Sequence, residues 1–111
     1  KEALSKQDKK PIFYVLSASY CEFCKKDMKL IKEDEKLSKY ISDNFIAVYE
    51  ERDVDIVPKY LDKEFTPIYY ILGEKGEILD TVRGTQTKLG FTQFLNKNLY
   101  KWRNKWDSYY F

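Results

Sequence analysis

The sequence predicts a single α/β domain in which helices flank a mixed four-stranded sheet. Short apolar runs typical of buried strands alternate with longer charged segments typical of amphipathic helices. A helical segment separates the first two runs, which predicts a parallel crossover, whereas a turn of only four residues separates the last two, which requires an antiparallel hairpin. With 111 residues and no internal repeat or linker, residues 1–111 are expected to form one domain.

The chain begins with a polar segment, residues 2–9, that we expect to be a short helix or a frayed arm. Pro11 ends any such helix, because the residue before a proline is pushed towards extended geometry. Residues 12–16 are apolar at every position, which predicts a central strand buried on both faces.

The next segment is predicted to be a long helix that begins near Glu22 and ends by Asn44. Its apolar stripe changes phase along the way, which predicts a break near residues 34–36. Residues 45–49 then form a second strand, and a right-handed crossover would make it parallel to the first.

The second half of the chain starts with a charged loop and a predicted short helix at residues 56–63, with Pro58 tolerated in its first turn. Residues 68–72 and 77–82 form the third and fourth strands around a turn at residues 73–76. A final helix is predicted at residues 86–105. Its apolar stripe at three- and four-residue intervals comprises Phe91, Phe94, Leu95, Leu99, Trp102 and Trp106.

Both cysteines lie in one motif, Cys21-Glu22-Phe23-Cys24, between the first predicted strand and the first predicted helix. The start of a helix offers free backbone N–H groups and the positive end of the dipole, and both favour a thiolate. This position therefore indicates dithiol–disulfide chemistry, although a structural disulfide or inert thiols remain alternatives. Because the chain contains no histidine, histidine-based catalysis and a closed zinc site within one chain are excluded, which leaves only a zinc site shared between two chains.

The composition narrows the possible partners. Lys and Arg total 20 and Asp and Glu total 18, and they are interleaved, so we expect no nucleic-acid binding. No apolar run approaches the ~20 residues of a membrane-spanning helix, and no Gly-rich phosphate loop is present. The first residue is Lys1 rather than a methionine, which we interpret as processing, either removal of an export signal or trimming for expression.

This order of elements, with Thr66-Pro67 before the third strand and Gly84 after the hairpin, resembles the thioredoxin superfamily over most of the chain. The resemblance implies a thioredoxin-like three-layer sandwich. It also implies a cis bond at Pro67, which would leave the Thr66 backbone free to pair with an extended substrate. In the same way, Cys21 resembles the exposed attacking thiol and Cys24 the more buried resolving thiol of a thiol–disulfide oxidoreductase.

The motif departs from the thioredoxin pattern at three places. Tyr20 replaces the usual tryptophan, Glu22-Phe23 replaces Gly-Pro, and Val15 stands where the superfamily often has a buried acid. Glu22 is either a substitute for that acid or an exposed first-turn residue. Since Glu22 would destabilise a Cys21 thiolate by repulsion, we expect a more reducing pair than in the strong oxidants.

We therefore expect a reductase of protein disulfides that is itself reduced by a partner protein and needs no cofactor beyond its own disulfide. Its substrate-binding surface would comprise Tyr20, Glu22, Phe23, Thr66 and Pro67. We also expect a monomer in the bacterial periplasm, with the cytoplasm as the alternative.

Two other functions stay open: a redox-inert binding module on the same scaffold, and a glutaredoxin-like glutathione-dependent enzyme, suggested by the aromatic residue before the second cysteine.

Two surfaces also have alternative interpretations. Phe23 either contacts substrate or caps the end of the sheet. The aromatic cluster at the C-terminus either packs on the domain or docks a partner or a membrane surface; it comprises Tyr100, Trp102, Trp106, Tyr109, Tyr110 and Phe111.

Overall fold

The structure is a computed structural model that describes residues 10–104. It contains, in chain order, β1 (Ile12–Ser17), α1 (Glu22–Glu33), α2 (Glu35–Asn44), β2 (Ile46–Glu51), β3 (Ile68–Leu72), β4 (Ile78–Arg83) and α3 (Lys88–Arg103). The four strands form one sheet in the order β2-β1-β3-β4. β1 is parallel to β2 and antiparallel to β3, and β4 is antiparallel to β3. The predicted mixed four-stranded sheet is therefore confirmed.

The burial of each strand follows its sequence pattern. Every residue of β1 and β3 is buried, as expected for central strands that are apolar on both faces. The strands β2 and β4 alternate between more and less buried residues and lie at the edges of the described sheet. The register of β3 against β4 shifts between Ile71 and Leu72, where Leu79 is the extra residue of a β-bulge in β4.

The predicted break in the long helix is confirmed at Asp34. The Asp34 backbone N–H donates to the carbonyl of Leu30 and ends α1, while its side chain accepts from the Leu37 N–H at 3.0 Å and caps α2. Lys88, the first residue of α3, forms an ion pair with the Asp34 carboxylate at 2.9 Å. One aspartate thus ends one helix, starts the next and contacts a third.

All three helices contribute to a core on one face of the sheet. The buried members of that core are Phe13, Val15, Leu37, Ile41, Phe45, Tyr69, Ile71, Phe91, Phe94, Leu95 and Leu99. A second core lies on the opposite face and comprises Ile12, Tyr14, Leu16, Leu61, Ile68, Tyr70 and Leu72. Within residues 10–104, the segment between β2 and β3 covers this second face.

The predicted helix at residues 56–63 is wrong. This segment contains turns instead, with backbone hydrogen bonds from Leu61 and Asp62 to the carbonyl of Pro58 at 3.0 and 3.1 Å. A single turn of this kind places Val57 and Leu61 on the same side, where both contact the second core, and so imitates helical spacing. Tyr70 fixes the segment by donating its hydroxyl to the Leu61 carbonyl at 2.8 Å.

The remaining predictions concern the two ends of the chain. Residues 2–9 and the aromatic residues Trp106, Tyr109, Tyr110 and Phe111 lie outside the described residues. In residues 10–104 no helix has both the length and the apolar character needed to cross a membrane.

Candidate active site

The two cysteines form a disulfide at the start of α1. Their Cα atoms are 5.3 Å apart and the Sγ–Sγ distance is 2.23 Å. A turn at residues 18–20 delivers Cys21 from the end of β1, and the Cys21 N–H donates to the Ala18 carbonyl at 3.1 Å. Since Cys21 is the N-cap residue of α1, the motif lies at the strand-to-helix junction that the sequence predicted.

The environments of the two sulfurs differ. Both cysteines are buried, Cys21 at 8% exposed and Cys24 at 1%, so the exposed position expected for Cys21 is wrong. The backbone N–H of Cys24 donates to the Cys21 Sγ at 3.2 Å, so a free N–H of the first helical turn is directed at Cys21. A sulfur in this position is stabilised as a thiolate by that N–H and by the helix dipole. The Cys21 sulfur is therefore better placed than the Cys24 sulfur to form a stabilised thiolate.

Thr66 and Pro67 lie at the same edge of the sheet as the disulfide. Leu16 pairs with Ile68, which places the end of β1 beside the start of β3. The Thr66–Pro67 peptide bond is cis, Thr66 is half-buried and Pro67 is buried. The Gly84 N–H donates to the Pro67 carbonyl at 2.8 Å, and Gly84 has a φ of 90°, which only glycine adopts readily.

The residues around the cysteines form an exposed surface. Tyr20 is 63% exposed and Phe23 is 61% exposed, so both side chains next to the cysteines in the sequence are accessible to solvent. The pKa of Arg52 is raised, first by the hydrogen bond to Asp62 and then by the proximity of the Tyr20 hydroxyl. Glu22 forms an ion pair with Lys25 at 3.3 Å, and both side chains are more than half exposed. Glu22 thus occupies the exposed first-turn position.

The segment before the disulfide is anchored to the loop after β2. The Asp53 carboxylate accepts from the Ser19 N–H at 2.9 Å and also from the Ser19 hydroxyl. These hydrogen bonds with Ser19 hold the pKa of Asp53 below its usual value. The Arg52 N–H donates to the Ser17 carbonyl at 2.9 Å. The charged loop therefore fixes the approach of the chain to Cys21.

Sequence reasoning missed one residue of this region, Asp27. It lies one helical turn after Cys24, and it is the only carboxylate among residues 10–104 that is fully buried. Its position between Cys24, Met28 and Ile31 on the predicted buried stripe was the available clue, because an acid there needs hydrogen-bond partners. Val15, on the neighbouring β1, is buried and provides no acid.

The carboxylate of Asp27 accepts three hydrogen bonds. The Tyr69 hydroxyl donates to Oδ2 at 2.5 Å, the Thr85 hydroxyl to Oδ1 at 2.5 Å, and the Gln86 N–H to Oδ2 at 3.1 Å. Burial, followed by the hydrogen bond to Asp27, raises the pKa of Tyr69 far above its usual value. Tyr69 therefore remains a hydroxyl donor throughout the physiological pH range.

Within residues 10–104, no group of three or more His, Cys, Asp or Glu side chains is arranged to hold a metal ion. A groove of about 660 Å³ lies between α1 and β2, and its floor includes Val15, Met28 and Tyr49. Neither cysteine lines this groove.

Solved structures of thioredoxins are similar to this chain. A thioredoxin from Thermus thermophilus superposes with a TM-score of 0.72 at 17% identity, covering 90% of this chain and 83% of that one. A poplar thioredoxin h gives 0.67 at 20% identity, covering 88% and 86%. A disulphide isomerase from Xylella fastidiosa gives 0.68 at 21% identity, covering 86% and 85%.

At the level of sequence, no protein-family model and no curated protein matches the chain. The structural likeness nevertheless extends over nearly the whole chain and over most of each relative. The described chain has a thioredoxin fold with a CxxC disulfide at the start of its first helix.

Proposed function

We propose that this protein is a thiol–disulfide oxidoreductase that reduces protein disulfides through Cys21 and Cys24. The observation that carries this proposal is the asymmetric cysteine pair at the N-terminus of α1. A helix N–H is directed at the Cys21 sulfur, and Cys24 is almost fully buried behind it. A purely structural disulfide gains nothing from this placement, whereas a reversible one gains a stabilised attacking thiolate.

The proposed reaction starts from the reduced dithiol. The Cys21 thiolate attacks one sulfur of a substrate disulfide, forms a mixed disulfide and releases the other substrate sulfur as a thiolate. Cys24 then loses its proton to solvent and attacks the Cys21 sulfur, which forms the Cys21–Cys24 bond and releases the second substrate sulfur. The substrate disulfide gains two electrons, the protein dithiol loses them, and the released thiolates take up protons from solvent.

Protein disulfides fit the surface around Cys21. Tyr20, Phe23 and Phe65 are exposed aromatic residues, and such side chains are enriched where proteins bind one another. Tyr20 and Phe23 border the cysteines in the sequence, and Phe65 directly precedes Thr66, whose backbone we propose as the site of substrate pairing. A partner protein would return the disulfide to the dithiol.

The reducing direction rests on Glu22, which adds a negative charge beside Cys21 at the helix start. Because Glu22 is exposed and paired with Lys25, its effect on the Cys21 thiolate is screened by solvent and should be modest. We further propose a monomer that acts in the bacterial periplasm, with the cytoplasm as the alternative. Subcellular fractionation with a tagged full-length chain would distinguish the two compartments.

The proposal is tested by the reduction potential of the Cys21–Cys24 pair, measured by equilibrating the protein in glutathione or dithiothreitol redox buffers. A reduction potential of about −270 mV supports a reductase. A reduction potential of about −120 mV makes the protein an oxidant and contradicts the proposed direction. If the pair never forms a disulfide, the binding-module function replaces the proposal. The Cys24→Ser variant, which cannot form the internal disulfide, is the control.

A further inference from the structure

The buried carboxylate of Asp27 is the starting point. Asp27 is 1% exposed, and within residues 10–104 no Lys or Arg forms an ion pair with it. A buried charge without a cation is costly, and here three neutral donors offset that cost. An apolar side chain would fill the same space without needing hydrogen-bond donors. The carboxylate therefore contributes directed contacts that packing alone would not provide.

The three donors come from two elements outside α1. Tyr69 lies on β3, two residues after Pro67, and residues two apart on a strand point to the same face. Thr85 and Gln86 lie in the loop between β4 and α3, directly after Gly84, whose N–H donates to the Pro67 carbonyl. One carboxylate therefore joins the helix that carries both cysteines to β3, which follows Pro67, and to the loop that is hydrogen-bonded to Pro67.

The position of Asp27 within α1 brings this junction close to the cysteines. Residues three apart on a helix are neighbours, so Asp27 lies one turn from Cys24, and both side chains are buried. A shift of Asp27 relative to Tyr69 would therefore move Cys24, and with it the disulfide, relative to Thr66. The distance between the attacking sulfur and a chain paired at Thr66 depends on this contact.

We propose that Asp27 is a positioning residue. It holds the disulfide at the correct distance from Thr66 and Pro67, along which a substrate chain would lie. This inference rests on the proposed function, because it concerns the reduction of disulfides within polypeptide substrates. A small disulfide that makes no contact with Thr66 needs only the two cysteines. The role of Asp27 should therefore appear with polypeptide substrates and be largely absent with small ones.

The test compares two substrates with the pre-reduced full chain: insulin, whose disulfides lie in polypeptides, and hydroxyethyl disulfide. The second-order rate constant for oxidation of the protein is followed by acid quenching and intact mass. We expect Asp27→Ala to lower the rate with insulin about tenfold or more, since a misplacement of about 1 Å can cost ~100-fold. With hydroxyethyl disulfide the loss should stay below about threefold.

Two further variants test other causes of a rate loss. One tests whether the charge of Asp27 matters, and the other tests whether general destabilisation is enough. Asp27→Asn keeps the shape, and its amide can accept from Tyr69 and Gln86 while donating to the Thr85 oxygen, so both rates should stay near those of the wild type. Asp80→Ala is the matched control, because Asp80 contacts Asn98 and Lys97 rather than α1. It should leave the ratio of the two rates unchanged.

If Asp27→Ala does not fold, as judged by circular dichroism, the Tyr69→Phe/Thr85→Val double variant removes two of the three donors and should give the same selective loss. Equal losses with both substrates, or no loss with either, would overturn the role of Asp27. A loss in Asp27→Asn as large as in Asp27→Ala would do so too, because the charge would then matter rather than the contacts. A wild type that insulin does not oxidise contradicts the proposed function instead.

Discussion

Replacing Tyr69 by phenylalanine removes a single oxygen atom from the buried contact with Asp27. The ring of Tyr69 is fully buried, stacks on Phe13 at a centroid distance of 5.9 Å and meets Phe91 edge-on at 4.9 Å. A phenylalanine ring can keep both of these contacts. The variant therefore isolates the hydrogen bond that the Tyr69 hydroxyl donates to the Asp27 carboxylate at 2.5 Å.

The expected cost follows from the charge of the acceptor. A hydrogen bond to a charged group contributes about 1.5–3 kcal/mol, and two other donors still satisfy Asp27 after the change. We therefore expect Tyr69→Phe to lower the free energy of unfolding by about 2 kcal/mol. For a domain of this size the melting temperature would fall by about 8 °C.

Tyr70→Phe is the matched control. Tyr70 is the next residue of the same strand, is also buried, and donates its hydroxyl to the neutral Leu61 carbonyl at 2.8 Å on the opposite face. That hydrogen bond should contribute about 1 kcal/mol. Urea unfolding of the oxidised proteins, followed by circular dichroism, measures both values. A loss in Tyr69→Phe no larger than in Tyr70→Phe would refute the strength expected for the Tyr69–Asp27 hydrogen bond.

Three further predictions concern the disulfide, the helix break and the second core. Cys24→Ser should leave the mixed disulfide at Cys21 unresolved, so that a covalent adduct with insulin accumulates and is visible by mass spectrometry. The pKa of Asp34 is lowered, first by the hydrogen bond from Lys88, so its stabilising contribution is present above the usual aspartate pKa and is lost as the pH falls through the lowered value. Asp34→Asn should therefore reduce the urea midpoint at neutral pH and much less near ~pH 2, and an equal reduction at both would contradict this. Leu61→Ala should cost about 2–5 kcal/mol in urea unfolding, because Leu61 fills the second core, and a cost below ~1 kcal/mol would show that the segment is not packed there.

The parts of the fold that could be predicted from sequence are those that depend on neighbouring residues. The break at Asp34 is one, because the apolar stripe changes phase where the aspartate caps α2. The burial of β1 and β3 is another, since continuous apolar runs indicate strands covered on both faces. Local patterns also locate the cysteine pair at the start of α1.

The helix expected at residues 56–63 shows where local patterns fail. Val57 and Leu61 have helical spacing, but one turn is enough to bring both onto the second core. Helix formation is favourable only when several successive hydrogen bonds follow the costly first turn. Here Tyr70 fixes the carbonyl of Leu61 instead, and no pattern within the segment reveals that contact.

The hydrogen-bond partners of Asp27 could not be predicted for a similar reason. Its hydrogen-bond partners Tyr69, Thr85 and Gln86 are 42, 58 and 59 residues away in the sequence. Glu22, the carboxylate adjacent to Cys21 in the sequence, is exposed instead. Sequence distance and spatial distance agree on a helix surface and disagree in a core assembled from three elements.

The β-bulge in β4 has a consequence for aggregation. This strand is an edge strand of the described sheet, with Ile78 and Leu79 exposed. Flat edges that carry apolar side chains invite edge-to-edge pairing between copies of a chain. The bulge disturbs the regular ladder beside Ile78, and the charges of Asp80 and Arg83 follow along the same strand. Both features disfavour edge-to-edge pairing of β4 with another copy of the chain.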